Sequence, residues 1–168
     1  LDFINRLDVI NPYVTLREVR LNFLWARMLV IDETATAGRK KIIQLTFEDF
    51  LELLVRFAYL FALPNDQDIF DLGVQHAGEY LEWLEGHPDE QDSFRRARSK
   101  NMGDKLDQPI GHKVRHFIEW MLYTVRGGEP SEKSGPSAIT KKDAERFHRG
   151  LVRRVKKESE EDGSPMSS

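Results

Sequence analysis

The chain of 168 residues carries a net charge of −3, and 40% of its residues are apolar and 32% charged. This length suffices for one domain with a hydrophobic core, and the lack of cysteine excludes disulfides and thiolate metal sites. No apolar run is long enough to span a membrane without a charge, since Arg56 interrupts the best candidate, and LDFINRLDV is not a secretory signal. We therefore expect a soluble protein, and the start at Leu1 suggests a fragment of a longer one.

Helical periodicity predicts an all-α fold, with Gly and Pro gathered between the periodic stretches. After a leading segment that ends at Pro12, the first helix is expected to begin at Thr15, where TLRE predicts a capping box of Thr15 and Glu18. Its apolar stripe is expected to pack against the next helix. The stripe comprises Leu16, Val19, Phe23, Leu24, Met28 and Ile31, with Trp25 beside it.

The most apolar stretch, Leu45 to Pro64, is predicted to be the core helix of the domain. Thr46 and Asp49 form a second predicted capping box at its start, and Pro64 marks its end. Its apolar residues fall on one broad face that we expect to be buried. These residues are Phe47, Phe50, Leu51, Leu54, Phe57, Ala58 and Phe61, widened by Leu53 and Leu60.

A polar turn, Asp32 to Gln44, separates these two helices and is basic at Arg39, Lys40 and Lys41. A helix, a loop of about a dozen residues and a second helix that opens on LTFEDF together resemble an EF-hand, over Val14 to Leu63. The resemblance implies EF-hand-like helix-loop-helix pairs in one compact helical domain. Modules of this kind occur in cytoskeletal and ciliary or flagellar proteins, so the resemblance also implies an intracellular location in the cytoplasm, on the cytoskeleton, or in a cilium or flagellum.

The loop between the helices lacks a calcium ligand set. An EF-hand loop needs oxygen ligands at positions 1, 3, 5 and 12 and Gly at position 6. If Asp49 is placed at position 12, then Lys40 and Ile42 occupy positions 3 and 5. If Asp32 is placed at position 1, Ile43 occupies position 12, where a bidentate carboxylate is needed. We therefore predict a module without calcium, other metals or cofactors.

Three further helices are predicted between Pro64 and Gly127. They span Asp66 to Glu85, a short stretch around Ser93 to Lys100, and His112 to Arg126. Gly86 and Pro88 are expected to end the first of these helices, and Gly127 and Gly128 the last. The last helix has one apolar face, formed by Val114, Phe117, Ile118, Met121, Leu122 and Val125.

Composition divides the chain into a helical domain at 1–128, a linker at 129–139, a basic amphipathic helix at 140–157 and a disordered acidic tail at 158–168. The basic helix holds eight cations against two acids, a net charge of +6. Such a helix suits a membrane surface, a protein groove or an acidic protein surface, or it folds back onto its own domain. Nucleic acid is disfavoured as a partner, because the chain before this helix has a net charge of −5 and would repel phosphate.

The candidate partner-binding residues are Phe147, Leu151, Val155, Arg149, Arg153 and Arg154, with the basic loop of Arg39, Lys40 and Lys41 as a second candidate.

His112, His116 and Glu119 share helical spacing that would suit metal ligands. The sequence offers no fourth ligand for a structural zinc site, so we expect a solvated polar face opposite Phe117 and Met121.

The arginines near Ser93 and Ser99 have three interpretations: a contact for phosphate or an acidic partner, a site for a basophilic kinase, or a solvated loop. The solvated loop is the simplest of the three.

The sequence shows no pattern of catalytic residues. The carboxylates Glu48, Asp49 and Glu52 lie within one helical turn, as capping and surface charges do, and no catalytic triad or phosphate-binding loop is present. We therefore expect a non-catalytic interaction or scaffold module, with an amphipathic helix or an acidic cytoskeletal surface as its protein partner. The alternatives are a calcium sensor with irregular loops and a regulatory subunit of an enzyme.

Overall fold

The computed structural model describes residues 14–26, 46–128 and 139–149. Within these ranges the chain is all-α, as predicted, and no described helix is long and apolar enough to cross a bilayer. The helices are α1 (Leu16–Ala26), α2 (Phe47–Leu60), α3 (Asp66–Leu72), α4 (Ala77–Glu85), α5 (Pro88–Arg98), α6 (Ile110–Arg126) and α7 (141–149).

Both predicted capping boxes are confirmed at the starts of α1 and α2. The Thr15 hydroxyl accepts a bond from the Glu18 amide at 3.3 Å, and the Glu18 carboxylate accepts one from the Thr15 amide at 2.7 Å. At α2, the Asp49 amide donates to the Thr46 hydroxyl at 3.2 Å, and the Thr46 amide donates to the Asp49 carboxylate at 3.0 Å. These bonds satisfy amides that a helix leaves without intrahelical partners, so the local sequence fixes where each helix begins.

The single helix predicted over Asp66 to Glu85 is wrong, because this stretch forms two helices, α3 and α4. Gly73 adopts a left-handed conformation with φ of 73°, and its amide donates to the Phe70 carbonyl at 3.0 Å. This is a helix C-cap that glycine adopts without steric penalty. The apolar periodicity continues through the break, which is why the pattern alone suggested one helix.

The boundaries of the next two helices were predicted only in part. Helix α5 begins at Pro88, before the start predicted near Ser93, although Pro88 was expected to end the preceding helix. A proline is tolerated at the first helical position, because the amide it lacks would have no intrahelical partner there. Helix α6 begins at Ile110, two residues before the predicted start, and ends at Gly127 with φ of 81° as predicted.

The core lies between α2 and α6, with α1 packed on α2 and α4 packed on α6. Aromatic rings from both central helices meet there: Phe57 stacks on Phe61 at 5.4 Å, and Phe61 lies 5.4 Å from Phe117. Side chains from α1 and from the segment after α2 complete the cluster. Its buried members are Val14, Val19, Ala26, Leu53, Phe57, Ala58, Leu60, Phe61, Leu63 and Phe117.

Helices α4 and α6 approach each other closely at Gly78. A Cβ added to Gly78 would overlap the Cβ and ring of Tyr123, so only a hydrogen atom fits there. The Tyr123 hydroxyl also donates to the Glu82 carboxylate on α4, and the His76 ring packs edge-on against Tyr123. Tyr123 therefore fixes the crossing of the two helices from both ends of its side chain.

Several sequence predictions lie outside the described residues. They are the leading segment, the loop at 32–44 on which the EF-hand resemblance depends, the linker up to residue 138, and the chain from residue 150 onward. The EF-hand pairing and the domain boundaries therefore stay predictions.

Candidate protein-binding surface

The first half of α2 exposes large apolar side chains. Phe47, Leu51 and Val55 are 70%, 46% and 39% exposed, and Phe50 beside them is 39% exposed. Phe47, Leu51 and Val55 lie four positions apart, so they form one stripe along the helix, which we call the α2 stripe. The prediction that the apolar face of this helix is wholly buried is therefore wrong for its first half.

The reason is that α2 is apolar on most of its circumference, whereas a core can cover one side. Leu53 and Phe57 are buried in the core, at 7% and 3% exposure. Positions two residues apart lie about 200° apart around a helix, so Leu51 and Val55 point away from the side that Leu53 and Phe57 bury. Contiguous exposed apolar patches on folded domains commonly mark interaction sites.

One edge of the α2 stripe is acidic. Glu48 and Glu52 lie one position after Phe47 and Leu51 and follow the same course along the helix. Glu52 forms an ion pair with Arg56 at 2.8 Å, while Glu48 is exposed. The surface therefore combines an apolar ridge with negative charge on one side.

Of the partner-binding residues predicted near the C-terminus, the structure describes Phe147 and Arg149. Both lie on α7, where Phe147 is half-buried and Arg149 is exposed. Helix α7 is tied to the end of α6, because the Arg146 guanidinium donates to the Arg126 carbonyl oxygen. The remaining predicted residues lie outside the described part of the chain; they are Leu151, Arg153, Arg154, Val155, Arg39, Lys40 and Lys41.

His116 is buried, with 1% exposure, so the expected solvated face is wrong at this position. Its ring lies between two carboxylates: Nε2 is 3.1 Å from Asp66 on α3, and Nδ1 is 3.2 Å from Glu119. Glu119 also accepts a bond from the Ala77 amide at the start of α4. This network joins α3, α4 and α6, and it was missed because Asp66 and Ala77 are far from His116 in sequence.

The carboxylates in this network are held in their charged form. Burial raises the pKa of Asp66, but the charges of Arg115 and His116 outweigh it, so the pKa lies below its usual value. Burial likewise raises the pKa of Glu119, and its bond and attraction to His116 bring it below the usual value. Arg115 donates to Asp66 as well. Because these charges are already paired, the cluster is an ion-pair network, and within the described ranges no group of three or more His, Asp or Glu could hold a metal ion.

Lys113 is another buried ionisable residue that the sequence did not reveal. It is 1% exposed, and its Nζ donates to the Tyr59 carbonyl oxygen in the last turn of α2 at 3.0 Å. Gln108 donates to the Pro64 carbonyl at 3.0 Å in the segment that follows. Lys113 therefore satisfies a carbonyl that the helix end leaves free. Burial lowers its pKa to about 8, although Asp107 opposes this shift.

The arginines near Ser99 lie on helix α5, not in the solvated loop that the sequence suggested. Arg98 bonds both oxygens of Asp68, at 2.8 and 3.0 Å, and also donates to Asp107. Arg96 pairs with Asp92 at 2.7 Å. The Ser99 hydroxyl oxygen is buried, which removes it from the reach of a modifying enzyme in this conformation. Arg96 and Arg98 therefore form ion pairs within the fold.

Comparison with known proteins gives no relative: no protein-family model, no curated protein and no solved structure matches the chain.

Proposed function

We propose that this domain is a non-catalytic protein-binding module and that the α2 stripe is its contact surface. The observation that supports this most directly is the exposure of Phe47, Leu51 and Val55 on one line of a well-formed helix. Burying a side chain of this size contributes about 1.5–3 kcal/mol, so three of them provide a substantial driving force for association.

The charged groups favour the same proposal. Two side chains that could serve in acid-base chemistry, His116 and Lys113, are buried and bonded within the fold. A catalytic group must reach a substrate, and these two hold helices together instead. A straight apolar ridge with an acidic edge suits an amphipathic helix that presents its own apolar residues at helical spacing.

The proposal includes the EF-hand-like pairing of α1 and α2 and a cytoskeletal or ciliary setting. It is supported by two helices with capping boxes that pack on each other. The setting rests on the resemblance of LTFEDF to such modules.

The test is partner capture with matched variants of the full chain. Leu51→Asp is expected to lower partner retention at least about tenfold, because one lost apolar contact is worth about 1.4 kcal/mol or more. Phe70→Asp makes the same change of polarity on α3, at a side chain 77% exposed, and is expected to leave retention unchanged. Thermal melts establish that both variants are folded. Equal retention by wild type and Leu51→Asp would contradict the proposal.

A further inference from the structure

We propose that the partner of the α2 stripe is an amphipathic helix of another protein, with cations along one edge of its apolar face. The inference rests on the proposed function for the role of the surface, and it adds the shape and the charge of the partner. Three features of α2 support it: the spacing of the exposed apolar residues, the acids on one edge of the stripe and the lack of charge on the other edge.

The shape of the stripe favours a helix as the partner. Phe47, Leu51 and Val55 lie four positions apart and stay exposed in the folded domain. Rows of residues four apart form ridges, and the ridges of one helix fit the grooves of another in the commonest class of helix packing. The stripe spans about 12 Å, so a partner helix of about three turns can cover it.

One edge of the stripe carries negative charge that is only partly neutralised. Glu48 is exposed and forms no ion pair within the described ranges. The Glu52 side chain is 43% exposed and pairs with Arg56, the one cation on α2. Asp49 does not add to this edge, because it is buried and accepts a bond from the Thr46 amide. The acids on this edge therefore attract cations from a partner.

The opposite edge of the stripe is uncharged. Thr46, Phe50 and Leu54 lie one position before the three residues of the stripe, and Phe50 is exposed. A partner charge placed on this edge would lose water without meeting a counterion, which is unfavourable. Cations on one edge of the partner and apolar residues on the other therefore suit the surface best, and this asymmetry gives the contact a defined register.

The same charges disfavour the other occupants of an apolar ridge. A second copy of the stripe would bring more acids than cations to the contact, and an acidic helix would bring only like charge. The anionic surface of a lipid bilayer would likewise repel Glu48 and Glu52.

Two synthetic helical peptides test the inference with the full chain. Both carry large apolar residues four positions apart; the basic peptide has lysines along one edge, and the acidic peptide has glutamates at the same positions. In fluorescence anisotropy titrations at ~0.15 M salt, the basic peptide is expected to bind at least about tenfold more tightly, because each exposed ion pair changes affinity by about two- to fivefold. In ~1 M salt the difference is expected to fall below about threefold, since the Debye length is then ~3 Å.

Charge variants locate the effect on α2. Glu48→Lys is expected to weaken binding of the basic peptide about fivefold, because it replaces an attraction by a repulsion. Glu90→Lys is the matched control, since Glu90 is also exposed in the first turn of its helix, α5, and the change in net charge is the same. The control is expected to leave the affinity unchanged. Thermal melts establish that both variants are folded.

Four results would overturn the inference. They are the absence of binding by the basic peptide, equal binding of the basic and acidic peptides, equal effects of Glu48→Lys and Glu90→Lys, and equal binding of a basic peptide with the same composition but scrambled apolar spacing. Sedimentation and vesicle flotation address the other occupants. Self-association that Leu51→Asp removes would assign the stripe to a second copy, and binding to anionic vesicles that Leu51→Asp removes would assign it to a lipid surface; either would overturn the inference as well.

The two proposals fail separately. If the basic and acidic peptides bind equally and Leu51→Asp loses both, the inference fails and the proposed function stands. If Leu51→Asp binds the basic peptide as tightly as the wild type does, charge alone holds the peptide, and the proposed function fails together with the inference.

Discussion

Lys113 shows how one buried side chain can both support and weaken a fold. Its Nζ satisfies the Tyr59 carbonyl at the end of α2, yet burial of its charge is unfavourable and lowers its pKa to about 8. Unfolding restores the ordinary value near 10.5. Between these two values the unfolded state binds the extra proton, so stability must rise with pH in that range.

We therefore expect the free energy of unfolding to increase from pH 8 to pH 10, by up to about 3 kcal/mol. Above pH 10 the raised pKa of Tyr123, caused by burial and by its bond to Glu82, acts in the opposite direction, because the unfolded tyrosine loses its proton first. Urea unfolding at several pH values measures the effect. Lys113→Met should remove the rise, and a rise of equal size in that variant would rule out Lys113 as its source.

At the scale of the helices, local sequence predicts where elements begin and distant contacts decide which faces are buried. The capping boxes at Thr15 and Thr46 follow from four-residue patterns, and both were predicted. The break at Gly73 was not, because apolar periodicity runs through it. The exposure of Leu51 and the burial of His116 were missed for a different reason, since each depends on which helices pack nearby. Thus the helical class and the capped starts of α1 and α2 can be read from the sequence, but the break at Gly73, the start of α5 and the candidate binding surface cannot.

The crossing of α4 and α6 depends on a glycine. Gly78→Ala is expected to destabilise the fold by about 1–3 kcal/mol, because the new Cβ overlaps Tyr123 and the two helices must separate. Gly111→Ala is the matched control on α6, where an added Cβ meets no atom within 4 Å. The control should gain about 0.5–1 kcal/mol from better helix propensity. Thermal or urea unfolding of both variants compares them, and similar effects would show that the close packing at Gly78 does not matter.

For the whole molecule, the main alternative to a binding module is a calcium sensor. The loop at 32–44 offers Lys40 and Ile42 where carboxylates are needed, so we expect a thermal melt in millimolar calcium to match one with chelator. A calcium site at about 100 times its dissociation constant would add ~2.7 kcal/mol of stability, which raises the melting temperature by several degrees. Magnesium at the same concentration controls for ionic strength. A rise specific to calcium would restore the sensor hypothesis.

The contact between α2 and α6 also sets an order of events during synthesis on the ribosome. The residues that close over the end of α2 come late, since Lys113 follows Tyr59 by 54 positions. At translation rates of about 5–20 residues per second, roughly 3 to 11 seconds pass between the synthesis of Tyr59 and the synthesis of Lys113. During that interval the side of α2 that later packs on α6 is open to solvent together with the α2 stripe, and the nascent chain exposes apolar surface of the kind that chaperones bind.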